Sequence, residues 1–287
     1  MKNVEITYRY ATRDGGRPRP ADSAAARSRL DEGNQAFASL LEELVGATGT
    51  VRRIVEVDSR DLGLDPEAPE APHQRPFAVV IGCSDARVPI ELIFNEGPND
   101  LFVIRVAGNG LGSDVLGSLT YAVEHMKASL RLVVVLAHSG CGAMTAAVDA
   151  FLEPAGYLAL ATSHALRTIV DRQLIVVQAC ARALIDRRGA DVVDMPGYRA
   201  ALIETSIATN AALTAYMIQQ ELGQVAAQSL QAVYGVYLLQ TREIWTPPSA
   251  GSHATRLADP PPDLPSFIQF GSDLINSDRV RALLQAG

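Results

Sequence analysis

The stretch Pro76-Phe77-Ala78-Val79-Val80-Ile81-Gly82-Cys83-Ser84-Asp85-Ala86-Arg87 decides the fold. An apolar run this short, bounded by Pro76 and Gly82, fits a strand covered on both faces better than an amphipathic helix. Chemistry begins at the carboxyl end of that strand, where open α/β sheets place their ligands, and it begins with a thiol, a carboxylate and a guanidinium. A second apolar run, 131–137, ends the same way, on His138-Ser139-Gly140-Cys141-Gly142. Two strands thus deliver Cys83, His138 and Cys141. Two thiolates and an imidazole suit tetrahedral zinc, and the His-x-x-Cys spacing lets one turn of chain carry two ligands. Three protein ligands match a catalytic site that keeps a position for water; Asp85 is the candidate for a fourth.

With 287 residues, 48% hydrophobic and 20% charged, the chain has enough material for one large domain with a substantial core. No segment is long and apolar enough to span a membrane. The start, Met1-Lys2-Asn3-Val4-Glu5-Ile6-Thr7, lacks the charged-then-apolar order of a secretory signal, so a cytoplasmic chain is expected. Three cysteines, two of them beside metal chemistry, argue against a disulfide framework. The net charge of −7, with no basic run interleaved with aromatics, disfavours nucleic acid as a partner.

Residues 1–21, with Gly15-Gly16 and Arg17-Pro18-Arg19-Pro20, read as an arm without its own core. Leu30, Phe37, Leu40, Leu41 and Leu44 recur at helical spacing and predict one amphipathic helix over 22–45, capped by Asp22 or Ser23. A polar link through 58–75 leads to the first central strand. A short helix over 88–94, a strand over 101–106, a helix over 115–127 capped by Ser113 or Asp114, the strand at 131–137 and a helix over 143–151 follow. This alternation predicts an α/β fold, a mainly parallel central sheet flanked by helices, with a helical arm before it. Helices are expected over 158–170, 174–187 and 200–222. The run 230–239 reads as an edge strand, 246–265 as a proline-rich extended tail, and 277–284 as a last helix capped by Ser277 or Asp278. The boundaries drawn are an arm 1–27, a zinc domain 28–245 and a tail 246–287.

Cys83-Ser84-Asp85-Ala86-Arg87 and His138-Ser139-Gly140-Cys141-Gly142 resemble the Cys-x-Asp-x-Arg and His-x-x-Cys signatures of β-class carbonic anhydrases. Segments 30–37, 100–109 and 117–123 are similar to that family's flanking motifs, so the resemblance covers 28–150, with a weaker match at 233–237. It implies zinc held by Cys83, His138 and Cys141, a dyad of Asp85 and Arg87, and reversible hydration of carbon dioxide to bicarbonate by a dimer or a multiple of dimers. Asp85 would orient the attacking hydroxide while Arg87 keeps the carboxylate charged. The amides that open the helix at Gly142 would favour bicarbonate as it forms. Because two thiolates neutralise Zn²⁺, activity is expected to rise toward alkaline pH.

Two positions depart from the pattern. Glu96 stands where relatives often have Gln, whose amide contributes to the pocket. Val80 stands three residues before the first cysteine, where relatives with a closed, bicarbonate-regulated state usually carry Trp; an open resting site, with Asp85 on Arg87, is therefore expected. Other readings of the same residues are a hydrolase of carbon disulfide or carbonyl sulfide, and a non-catalytic zinc domain that binds bicarbonate or a protein partner. Singly, the residues have plainer explanations: Cys83 as a buried thiol, Asp85–Arg87 as an ion pair, His125 as a helix-surface residue rather than a proton relay. Cys180, on an apolar helix pattern, reads as core. His73, His164 and His253 belong to no constellation.

Overall fold

The computed structural model describes residues 2–11, 17–67, 70–160, 163–225, 230–247 and 256–286. The chain opens with β1 (Asn3–Ala11), α1 (Ser23–Ala38), α2 (Leu40–Gly46) and β2 (Thr50–Asp58). β1 lies parallel to β2 over its whole length, from Asn3 beside Thr50 to Ala11 beside Asp58, as a separate two-stranded sheet. The sequence reading gave neither strand. Gly15-Gly16 lies outside the described residues. The Asp22 side chain caps α1 by accepting the Ala25 N–H at 2.8 Å. The helix expected over 22–45 is broken at Ser39, whose hydroxyl turns back to the Ala36 carbonyl and competes with the helix ladder.

The central sheet is built from β3 (Ala78–Gly82), α3 (Ile90–Ile93), β4 (Leu101–Arg105), α4 (Ser113–Met126) and β5 (Leu132–His138). A helical stretch follows, α5 (Gly142–Leu152), α6 (Pro154–Leu160), α7 (His164–Arg188) and α8 (Tyr198–Val225), before β6 (Gln231–Tyr237) and β7 (Ile244–Trp245). The strand order is β4-β3-β5-β6-β7, parallel except for β7, so the fold is the expected α/β sheet. The edge near the C-terminus is β7; β6, read as the edge, lies one place inside it because β7 pairs antiparallel on its outer side, while α8 supplies the crossover from β5.

Alternate residues of each strand serve opposite faces. Val79, Ile81, Val133 and Val135 join α4, α5, α7 and α8 in one core, and α8 lays Ala208, Ala211, Ala212 and Ala215 into it. Ala78, Val80, Leu132 and Val134 face the second core, closed by Leu30 of α1 and by Ile90 and Ile93 of α3.

Three boundaries differ from expectation. Ser113 opens α4 behind Gly112 and neither Ser113 nor Asp114 caps it. The helices expected at 158–170 and 174–187 are mostly one, α7, which runs through the polar Asp171-Arg172-Gln173. Part of the tail is helical: Asp263 caps α9 (Leu264–Asn276), and Pro265 sits in its first turn, where a missing N–H costs nothing. The last helix, α10 (Asp278–Gln285), is capped by Ser277 as expected.

Candidate metal centre

β3 and β5 run side by side with Gly82 opposite Leu136, so the residues that follow each strand emerge together. Cys83 leaves β3, His138 closes β5, and Cys141 precedes the first residue of α5. Gly140 makes the return possible at φ 63°, a left-handed conformation that a Cβ disfavours. Its N–H donates to Glu204 Oε1 at 2.9 Å, and Glu204 is held in turn by Arg279 of α10. Ser139 continues the β5–β6 ladder, donating its N–H to the Tyr237 carbonyl and accepting the Leu239 N–H on its hydroxyl.

The donor atoms of Cys83, His138 and Cys141 lie within 4.8 Å of one another, and all three residues are buried. The two sulfurs are 3.9 Å apart. Thiolates sharing one tetrahedral zinc, each about 2.3 Å from it, would stand about 3.8 Å apart. His138 Nδ1 sits 3.0 Å from the Ser139 carbonyl and so carries the proton, which leaves the lone pair on Nε2. Nε2 is fully buried and has no hydrogen-bond partner. A desolvated acceptor facing two sulfurs is costly unless a cation completes it, so the donor set fits zinc in number, softness and spacing.

The contact between the sulfurs also sets the thiol acidities. The Cys141 S–H, the neighbouring His138 ring and the backbone N–H groups of Gly108 and Asp85 pull the Cys83 thiol down to about 4 against the effect of burial. Its partner, Cys141, is pushed up, first by that same contact and then by burial.

Asp85 lies beside this group and is turned toward Arg87. Its Oδ1 accepts the Arg87 backbone N–H at 2.9 Å and Nε at 3.0 Å, and its Oδ2 accepts Nη2 at 2.7 Å. This arrangement holds the carboxyl well below the usual carboxylate range. Oδ2 stands 3.8 Å from His138 Nε2. Gly142, exposed, is the first residue of α5, and the Met144 and Ala143 amides of that first turn face the Cys141 sulfur.

The loop is braced by a residue that the sequence reading did not single out as part of the site. Arg105, at the end of β4 opposite Gly82, donates Nε to the Cys83 carbonyl at 3.0 Å and Nη2 to the Asp85 carbonyl at 2.5 Å. Its position at a strand end beside the motif strand, within the segment 100–109 that resembles a family motif, was the available signal. Asn109 is the second such residue: its Nδ2 donates to the Ile81 carbonyl at 3.1 Å and to the Leu136 carbonyl at 2.6 Å, tying β3 to β5 two residues upstream of Cys83 and His138.

The remaining candidates lie elsewhere. Glu96 is fully buried away from solvent and bound by Arg29 of α1 and by Arg17, so its carboxylate is committed to a charge knot under the N-terminal segment. His125 is exposed on α4 and stacked on Tyr121, ring centroids 4.3 Å apart. Cys180 is buried on α7, its sulfur 3.4 Å from Thr209 Oγ1, and burial pushes its thiol up. His73 and His164 are exposed and outside the metal group; His253 lies outside the described residues.

A sequence model of the family described as carbonic anhydrase matches residues 78–237. Carbonic anhydrase 2 of Mycobacterium tuberculosis is 45% identical over 98 residues, 33% of this chain and 46% of that protein. The carbonic anhydrase of Mycolicibacterium smegmatis is 43% identical over 99 residues, 33% and 47% of the two chains. The matched stretch thus spans about half the length of these curated relatives. Among solved structures, the β-carbonic anhydrase CafA of Aspergillus fumigatus is similar over 89% of this chain and 99% of its own, at 19% identity and a TM-score of 0.47. The family match covers both strands that carry the donor set, the carboxylate–arginine pair and the helix that Cys141 precedes, and it extends to the end of β6. With more than half of its residues under that match, the chain belongs to the β-class carbonic anhydrase family.

Proposed function

We propose that this chain catalyses the zinc-dependent, reversible hydration of carbon dioxide to bicarbonate and a proton. One observation carries the reading: a buried Cys83–His138–Cys141 donor set with an orphaned imidazole nitrogen, beside a carboxylate that Arg87 holds aside. Cys83, His138 and Cys141 would hold the zinc, which when bound acidifies water and supplies hydroxide as nucleophile. Asp85 would accept a hydrogen bond from the nucleophile and so orient it toward the carbon of carbon dioxide. Arg87 keeps that carboxylate ionised and aimed. The amides opening α5 at Gly142 would favour the negative charge of bicarbonate. Two thiolates offset the charge of Zn²⁺, so hydration is expected to rise toward alkaline pH.

The test is stopped-flow hydration of carbon dioxide by the zinc-loaded wild type and by Asp85→Asn. The variant should keep about one zinc per chain and lose turnover by about 10²-fold, the scale of a misplaced reacting group. Unchanged turnover would reduce the dyad to an ion pair. A zinc-loaded wild type inert toward carbon dioxide but active on carbon disulfide would move the reading to the hydrolase.

The assembly proposed is a homodimer or a multiple of dimers, supported by family membership; light scattering that gave a monomer at micromolar concentration would contradict it. The three cysteines, all buried and unbridged, support a reducing, cytoplasmic setting. Among the described residues no helix is long and apolar enough to cross a membrane. Residue 27 lies within α1 and residue 245 within β7, so limited proteolysis that cut at those positions would support the proposed division into arm, zinc domain and tail, and protection there would contradict it.

A further inference from the structure

Behind the Cys83 sulfur lies the turn Ala107–Asn109, which leaves the end of β4 and packs on the start of α5. Gly108 and Asn109 both take left-handed conformations, at φ 68° and 55°. Two consecutive residues of that kind persist only where their surroundings hold them. The hold comes from two helices remote in sequence: the Gly108 carbonyl accepts Gln173 Nε2 of α7 at 3.0 Å and Asn210 Nδ2 of α8 at 3.1 Å. A Cβ on Gly108 would meet Gln173 Nε2 at 2.9 Å and the Ala143 Cβ at 3.0 Å, so the turn is seated against both. From that seat Asn109 donates to the carbonyls of Ile81 and Leu136, two residues before Cys83 and His138.

We propose that Gln173 and Asn210 are positioning residues of the metal centre, acting through the Gly108–Asn109 turn to keep β3 and β5 in register beneath Cys83 and His138. The inference rests on the zinc reading above. Gln173 is 1% exposed, yet its Oε1 has no hydrogen-bond partner. A purely structural residue in that place would be better apolar, since a buried acceptor left unpaired costs its desolvation. What the amide supplies is the donor on its other end. Residues that orient ligands from behind shift metal affinity by about 10–100-fold when removed.

The experiment uses the full chain loaded with Co²⁺ for spectroscopy and with Zn²⁺ for chelator competition, in the wild type, Gln173→Leu and Asn210→Leu. Gln173→Leu should melt at or above the wild-type temperature, because the orphaned acceptor is gone. It should nevertheless bind zinc about tenfold more weakly, with its cobalt–thiolate charge-transfer band shifted from the wild-type position because the ligands are displaced. Asn210→Leu should shift the band as well. A merely structural role would move the melting temperature and leave the band in place. Bands and zinc affinities equal to wild type in both folded variants would overturn the proposal. Failure of both variants to fold would overturn it as well, since the amides would then serve the fold rather than the centre. A single variant that fails to fold leaves the other to decide. A wild-type chain without any cobalt–thiolate band would sink the zinc reading itself.

Discussion

Replacing Asn109 with Ala removes one side chain that two strands depend on. Asn109 is 2% exposed, and its Nδ2 serves both the Ile81 and the Leu136 carbonyls. β3 ends at Gly82, one residue past Ile81, and this amide bridges the Ile81 carbonyl to that of Leu136 on β5. In Asn109→Ala each carbonyl loses that donor, and a buried polar group left unsatisfied costs about 1–3 kcal/mol. Alanine also sits poorly at φ 55°, which adds about 1 kcal/mol relative to Asn. The two carbonyls and the backbone together come to roughly 3–7 kcal/mol, a large part of the 5–15 kcal/mol typical of a folded domain. At about 2 °C per kcal/mol for a chain this long, the melting temperature should fall by roughly 6–14 °C. Both proteins should be stripped of metal first, since bound zinc adds to the apparent stability of the wild type. Asn109→Asp supplies the control for mechanism. It keeps the shape but turns an oxygen on two carbonyls, so its carboxyl pKa rises on folding. A carboxyl raised in the folded state contributes stability below its unfolded pKa and loses it as pH climbs through the folded value. Asn109→Asp should therefore be the less stable variant at pH 8 and recover relative to Asn109→Ala on acidification. Urea denaturation with unchanged m-values measures both. Asn109→Ala within about 0.5 kcal/mol of wild type, the scatter of ordinary surface changes, would refute the reasoning.

Removing Arg87 as Ala should let the Asp85 pKa rise toward its ordinary value, so the acid limb of the hydration profile moves to higher pH while zinc content holds; an unmoved limb would show that Arg87 does not govern the carboxylate. Gly33→Ala should cost about 1–3 kcal/mol, because its Cβ would fall 1.8 Å from the Phe94 carbonyl oxygen and backbone cannot rotate aside as a side chain can; an unaltered melting temperature would count against the α1–α3 contact. Asp58 is pulled down to about 2, chiefly by the Arg60 side chain, so its contribution to stability is full above the unfolded pKa and disappears as pH falls toward 2. Asp58→Asn should accordingly be less stable than wild type at pH 6 and indistinguishable from it near pH 2, read by urea titration at each pH.

Much of the centre was legible because its parts are local: two apolar runs end on reactive residues, and the spacing of His138 and Cys141 fits a single turn of chain. Periodicity also carried the sheet and most helices. What escaped depends on distant partners. β1 and β2 pair in parallel with partners 47 positions apart, so neither carries the tight-turn signal of a hairpin. The polar trio at 171–173 looked like a helix break, yet Gln173 is polar because it serves Gly108, 65 residues away. Pro265 looked like extended chain, and only the Asp263 cap converts it into the first turn of α9. Glu96 was read as a feature of the pocket; its partners, Arg17 and Arg29, lie 79 and 67 residues upstream and draw it under the N-terminal segment.

The claim on which the account turns is the ligand set, and X-ray absorption at the zinc edge of the wild-type chain addresses it most directly. Two sulfurs at about 2.3 Å and one imidazole nitrogen at about 2.0–2.1 Å are expected. In Cys141→Ser one sulfur should vanish from the shell, or the zinc should be lost altogether. A first shell of nitrogen and oxygen alone in the wild type, or an unchanged two-sulfur shell in Cys141→Ser, would contradict the assignment of Cys83, His138 and Cys141 as the metal ligands.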